Sequence, residues 1–176
     1  MSALLLCTDL DRTLIPNGLQ PESAGARDHF ARVADHDEVH LAYVTGRHLA
    51  LVEEAIREWR LPVPGFLITD VGTTIWRLER NPDSESADWQ RDEAWENNIG
   101  ADWCGHRTED LADLCIGLEG LQLQETARQG PFKLSYTLPI AASSGAASRR
   151  LASQLHERLA PHGIEARFVF SSDEVA

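Results

Sequence analysis

Apolar positions along the chain come in two arrangements, short continuous runs and stripes spaced three and four apart. Residues 3–9 form an apolar run that ends in charge, the pattern of a buried parallel strand. Asp11 to Leu19 carries turn residues, including Asn17-Gly18, and Pro21 to Ala34 suits a helix with Pro21 in its first turn. Val39 to Val44 predicts a second strand, which ends in Thr45-Gly46-Arg47. Leu49, Val52, Ile56 and Trp59 then share one helical face, and Pro62 and Pro64 stop that helix. Gly65 to Thr69 reads as a third strand, and Val71 to Leu78 as a short hairpin around Gly72. Strand, helix, strand, helix, strand predicts a parallel sheet covered by helices.

The pattern changes near Asn81-Pro82-Asp83. Asp83 to Asp102 is acidic and contains Trp89 and Trp95, with Trp103 just beyond. These tryptophans read as core or interface anchors. Thr108 to Leu118 predicts an amphipathic helix capped by Thr108. Leu121 to Thr126 and Phe132 to Leu138 read as strands around Gly130-Pro131. Ser144 to Ala160 is a helix with Leu151, Leu155 and Leu159 stacked at intervals of four, and Ala166 to Ser171 a last strand. The expected division is therefore residues 1–80 and an α+β domain over residues 81–176.

Composition narrows the partners. The 176 residues carry a formal charge of −12 and 43% hydrophobic content, which suits a soluble globular chain. Such acidity repels phosphate backbones, so nucleic acid is not an expected partner. No apolar run approaches the roughly 20 residues a membrane helix needs, and the N-terminus lacks the basic leader of a signal peptide. Cys7, Cys104 and Cys115 show no ligand-like spacing, which suggests reduced thiols in the cytoplasm. Cys7, in the first strand, is expected in the core.

In parallel sheets, functional groups gather beyond the carboxyl ends of the strands. Asp9, Asp11, Thr45 and Asp70 all fall there. Of two carboxylates two residues apart, one can attack phosphorus and form a mixed anhydride. The other can protonate the leaving oxygen and then activate water. A magnesium ion beside them would offset their repulsion of a phosphate and polarise its oxygens. Thr13 can tie the loop down through its hydroxyl. Thr45-Gly46-Arg47 supplies a hydroxyl, a close-approaching backbone and a cation where a strand feeds a helix, a ready phosphoryl site. The plain alternatives are an acidic turn and a capped strand-to-helix turn. Lys133, the only lysine, lies next to Phe132 and near Tyr136, and is a candidate substrate contact against the usual fate of a solvated surface lysine.

Leu5 to Pro16, Leu41 to Leu49 and Phe66 to Trp76 resemble the haloacid dehalogenase superfamily of phosphatases. The resemblance implies a Rossmann-like α/β core with an inserted α+β cap. It makes Asp9 the nucleophile, Asp11 the acid/base and Thr45 a phosphoryl-binding hydroxyl, with magnesium on the Asp9 carboxylate and the Asp11 main-chain carbonyl. Gly130 to Tyr136 and Phe66 to Thr73 are similar to the sucrose-phosphate phosphatases of that superfamily.

The superfamily also uses a lysine and an acidic Gly-Asp-x-x-Asp-like loop after the cap. Neither follows residue 165, and Lys133 does not match the position of that lysine. Ser171 to Ala176 resembles the approach to it. The expectation is thus the N-terminal part of the core plus the cap, with the C-terminal part of the core missing. Leu4 to Thr8 would then be an apolar edge open to pairing with another chain. Two functions follow. One is a magnesium-dependent phosphatase acting on sucrose 6-phosphate or a related glycosyl phosphate. The other, favoured for this chain by the missing lysine and acidic loop, is a non-catalytic module that binds a sugar phosphate or a partner enzyme of sucrose synthesis.

Overall fold

The computed structural model describes residues 3–18, 21–80, 87–139 and 145–170. It divides into two compact units, residues 1–96 and residues 97–176.

The first unit is a five-stranded sheet in the order β1-β2-β3-β4-β5. Its strands are β1 (Leu4–Thr8), β2 (Val39–Val44), β3 (Phe66–Thr69), β4 (Thr74–Arg80) and β5 (Ala87–Arg91). β1, β2 and β3 run parallel, with Leu6 opposite Leu41 and Ala42 opposite Phe66. β4 and β5 are antiparallel additions, with Leu67 opposite Trp76 and Leu78 opposite Trp89. The sheet is therefore mixed rather than wholly parallel, because a tight turn instead of a helix follows β3. That turn, Asp70–Gly72, is the centre of the expected hairpin. Its arms are β3 and β4, not two halves of Val71 to Leu78.

β2 is buried at Leu41, Ala42 and Tyr43, as a strand covered on both faces must be. The Tyr43 hydroxyl donates to the Pro62 carbonyl at 2.7 Å, and burial raises the phenol above its ordinary range. Helix α1 (Ala26–Ala34) begins after Gly25 instead of at Pro21, since Gly25 has φ 73° and breaks helical geometry on its N-terminal side. Helix α2 (Leu49–Trp59) buries Val52 and Ala55 and ends at Arg60, which takes the left-handed conformation. The core comprises Leu10, Ile15, Leu41, Tyr43, Val52, Ala55, Leu61 and Leu67, with Trp76 and Trp89 packed against it.

Trp89 and β5 explain why the first unit runs past residue 80. The composition changes there, but the chain returns to pair with β4 before leaving the sheet. Residues 81–86, at the expected boundary, lie outside the described residues. β1 lies at one end of the sheet, so Leu4 and Leu5 are 55% and 60% exposed. Cys7 is exposed on the same strand, not in the core as expected.

Helix α3 (Glu93–Asp102) leads into the second unit, which holds α4 (Thr108–Leu114), α5 (Gly145–Leu159) and a two-stranded ribbon of β6 (Gln122–Leu123) and β7 (Tyr136–Thr137). Leu151, Leu155 and Leu159 of α5 are its buried stripe. Trp103, Leu111, Leu159 and Ile164 form one cluster, and Cys115, Leu118, Leu151 and Leu155 another. Trp103 and Phe132 meet edge to face with centroids 5.5 Å apart. A Cβ on Gly100 would stand 3.1 Å from the Phe132 ring, so a side chain there would press on that ring.

Three expectations for this unit need correction. Thr108 does not cap α4; its hydroxyl donates to the carbonyls of Gly130 and Pro131, and Arg107 occupies the cap position. The two strands shrink to β6 and β7. The Gln129 side chain donates to the Gln124 and Ser135 carbonyls and accepts from the Ser135 amide, taking up backbone groups where the ribbon ends. Residues 164–170 form no strand, although Ala166 and Phe168 pack on the clusters. Ser144 and Ser171 to Ala176 lie outside the described residues. Among the described residues no helix is long and apolar enough to cross a membrane.

Candidate active site

β1 delivers the chain into a loop whose middle residue is its anchor. Leu10, between the two aspartates, is 0% exposed. Its carbonyl accepts from the amides of Ile15 at 2.8 Å, Leu14 at 3.0 Å and Thr13 at 3.3 Å. Burying Leu10 turns Asp9 outward, and Asp9 is exposed. Asp9 Oδ1 accepts from the Leu10 amide at 2.7 Å. The loop is thus tied down by a backbone carbonyl. Thr13, expected to do this through its hydroxyl, is exposed and contributes its amide.

Asp11 is engaged on both oxygens. Arg47 Nε donates to Oδ2 at 2.9 Å and Arg47 Nη2 to Oδ1 at 2.6 Å, a bidentate pair. Asn17 Nδ2 also donates to Oδ1 at 2.5 Å. The Arg47 hydrogen bonds hold the Asp11 carboxyl below the usual carboxylate value, against an opposing effect of partial burial. The same hydrogen bond raises Arg47.

These shifts fix the sign of a pH effect. The folded carboxyl of Asp11 lies below its unfolded value near 3.8. Its contribution to stability is therefore present above that value and is lost as the pH falls through the lower folded value. Thermal melts from neutral to acid pH should fall less steeply at the acid end for Asp11→Asn than for the parent chain. Parallel acid limbs would contradict the pairing.

The second loop is built on the end of β2. Thr45 is buried, its amide donates to the Ile68 carbonyl at 2.9 Å, and its hydroxyl accepts from the Arg47 amide at 3.2 Å. Gly46 is exposed beside it. The end of β3 is stitched to this loop, because the Asp70 amide donates to the Arg47 carbonyl at 3.0 Å and the Val71 amide to the Thr45 carbonyl at 3.3 Å. Asp70 is buried and accepts from the Thr69 hydroxyl at 3.2 Å. The ends of three strands thus form one connected patch, with Asp11–Arg47 joining the first two.

Lys133 belongs to the second unit, where its carbonyl accepts from the Gly130 amide at 3.0 Å. Asn17 was not anticipated as a partner of Asp11. It was visible only as half of an Asn-Gly turn, and the turn is what swings its amide back to the carboxylate. Trp95 was also unforeseen here. Its indole donates to the Gly72 carbonyl at 3.0 Å.

The oxygens present suit a hard, hydrated cation. The loop's backbone hydrogen bonds go to the Leu10 and Ile15 carbonyls, not to that of Asp11. The Asp9 carboxylate and the Asp11 carbonyl remain as donors, while the Asp11 carboxylate is taken by Arg47 and Asn17. Among the described residues no three His, Cys, Asp or Glu side chains converge as a metal cage. Few protein oxygens with the rest water or phosphate is the coordination that magnesium accepts.

Residues 2–175 match the family described as Sucrose-6F-phosphate phosphohydrolase. A putative HAD-like hydrolase of Nitrosococcus oceani is 44% identical over 98% of this chain and 44% of its own length. A mannosylfructose-phosphate phosphatase of Agrobacterium fabrum is 28% identical over 96% of this chain and 60% of its own. The crystal structure of the sucrose-phosphatase from Synechocystis, in complex with sucrose and phosphate, superposes with a TM-score of 0.70 at 27% identity, covering 97% of this chain and 61% of that one. The chain therefore spans less than two thirds of the length of each of these proteins. The match over nearly the whole sequence places the chain in the sucrose-6F-phosphate phosphohydrolase family of haloacid dehalogenase-like hydrolases.

Proposed function

We propose that this chain carries the nucleophile and phosphoryl-binding loops of a magnesium-dependent phosphatase for sucrose 6-phosphate or a related glycosyl phosphate. The observation that carries this reading is the division of labour in the first loop: Asp9 is exposed, and Asp11 is held by Arg47 in reach of the Thr45 loop. Asp9 attacks phosphorus, the bond to the sugar oxygen breaks, and that oxygen takes a proton from Asp11. Asp11, now ionised, takes a proton from water, whose oxygen attacks the same phosphorus and frees Asp9 and inorganic phosphate. Thr45, Gly46 and Arg47 bind the phosphoryl oxygens. Thr13 and Lys133 are the further substrate contacts of this reading. Magnesium, held by the Asp9 carboxylate and the Asp11 carbonyl, would supply positive charge against the phosphoryl oxygens.

Asp11 cannot give up a proton while its carboxylate is paired with Arg47. A phosphoryl group arriving at the Thr45 loop competes for that guanidinium, so Arg47 exchanges Asp11 for substrate and the released carboxylate takes up a proton from solvent. The pair also supports a second reading, a sugar-phosphate-binding module without turnover, in which Arg47 keeps Asp11 ionised throughout. Phosphate release from a panel of sugar phosphates with magnesium separates the two. The phosphatase reading predicts release that is lost in Asp9→Asn. Binding without release in the parent chain would favour the module.

The edge at β1 supports self-association as part of this proposal, since exposed Leu4 and Leu5 lie on a strand that pairs with β2 on one side and, among the described residues, with nothing on the other. Sedimentation at micromolar concentration should show association that Leu5→Lys weakens; a parent chain that stays monomeric would contradict it. A cytoplasmic setting fits the three free cysteines.

A further inference from the structure

The turn between β3 and β4 borders the phosphoryl loop, and its conformation is unusual for its sequence. Asp70, Val71 and Gly72 have φ of 54°, 61° and 89°. Glycine takes such values freely and aspartate tolerates them, but a β-branched residue does not. Core packing does not explain Val71, a residue that is 52% exposed and joins no buried cluster among the described residues.

The strained backbone is held from several sides. The Asp70 amide donates to the Arg47 carbonyl at 3.0 Å, and the Val71 amide to the Thr45 carbonyl at 3.3 Å. The Thr73 hydroxyl donates to the Asp70 carbonyl at 2.9 Å, and the Trp95 indole to the Gly72 carbonyl at 3.0 Å. The result is a fixed place for one methyl-bearing side chain. Val71 Cγ2 lies 3.8 Å from where a Cβ on Gly46 would stand. Strain that the surroundings impose beside a ligand loop is a pointer to function.

We infer that Val71 is a specificity-determining residue, an apolar wall against the carbon face of the sugar whose phosphoryl group rests on Thr45-Gly46. This rests on the phosphatase reading above. A sugar phosphate is anionic at one end and presents C–H faces at the other. The Thr45-Gly46-Arg47 loop answers the first, and Val71 answers the second. A β-branched side chain has little rotamer freedom to lose on contact, so the wall is set before substrate arrives. Trp95 acts through Gly72 as a positioning residue.

The test is a calorimetric titration of the full chain with magnesium, in the Asp9→Asn background to block turnover. The probes are sucrose 6-phosphate and inorganic phosphate, and the added variants are Val71→Gly and Val71→Asn, both suited to positive φ. Each variant is expected to lose about tenfold more affinity for sucrose 6-phosphate than for inorganic phosphate, the effect of one exposed aliphatic contact. Val71→Gly should also melt about 2–4 °C higher as strain is relieved. Equal losses for both ligands, or a lower melting temperature, would overturn the role of Val71 and leave the phosphatase reading standing. Inorganic phosphate that binds neither the Asp9→Asn chain nor the parent chain would overturn both.

Discussion

Replacing Asp9 by asparagine should reduce phosphate release by on the order of 10⁴-fold or more, the scale seen when a covalent nucleophile is removed. The amide cannot form the mixed anhydride. It keeps an oxygen where Asp9 Oδ1 accepts the Leu10 amide, so the loop should persist. Asp9 is exposed and its neighbour Asp11 is held by Arg47 and Asn17 independently of it. The melting temperature should therefore barely move, since surface substitutions away from such networks change stability by about 0.5 kcal/mol or less. Phosphate release and a thermal melt on the same preparation check both halves. Release within tenfold of the parent would remove Asp9 from the chemistry.

Leu10→Ala should have the opposite signature, a large loss of stability. Leu10 is 0% exposed and belongs to the same cluster as Tyr43, Val52 and Leu67. Truncating a buried leucine costs about 2–5 kcal/mol, from lost transfer energy and the cavity left behind. Domains of ordinary size have about 5–15 kcal/mol in total. The carbonyl that gathers the Thr13, Leu14 and Ile15 amides remains in the variant. The defect is thus in packing, and it loosens the loop that aims both aspartates. Urea denaturation should give a lower midpoint with little change in slope. A loss under about 1 kcal/mol would mean that the loop is not seated on the core in this way.

The first three strands were legible because each is an apolar run of strand length ending in polar residues. β5 was not, since Ala87–Arg91 holds a single large apolar residue, Trp89, among polar ones. Its place in the sheet depends on β4 being there to pair with it. The ribbon of β6 and β7 was overestimated for a related reason. Gln129 competes with backbone pairing, and side-chain hydrogen bonds of that kind leave no periodicity to read. In the second unit the spacing of Leu151, Leu155 and Leu159 was enough to place α5.

The patch itself divides in the same way. Asp9, Asp11 and Thr45 were legible from their position after strands. The pairing of Asp11 with Arg47 was not. That Arg47 reaches across to Asp11 depends on the parallel pairing of β1 and β2, which sets the two loops side by side. The left-handed Asp70-Val71-Gly72 turn was legible only at its glycine, because nothing in a valine announces a positive φ.

The account turns on an acyl phosphate at Asp9, and the most direct measurement is to trap it. The chain, with magnesium and sucrose 6-phosphate, is quenched during turnover and treated with borohydride, which reduces an acyl phosphate to the alcohol. Peptide mass spectrometry then reads position 9. The account predicts homoserine in place of Asp9 and unmodified Asp11. Phosphate released while Asp9 stays intact, or reduction at a different carboxylate, would contradict it.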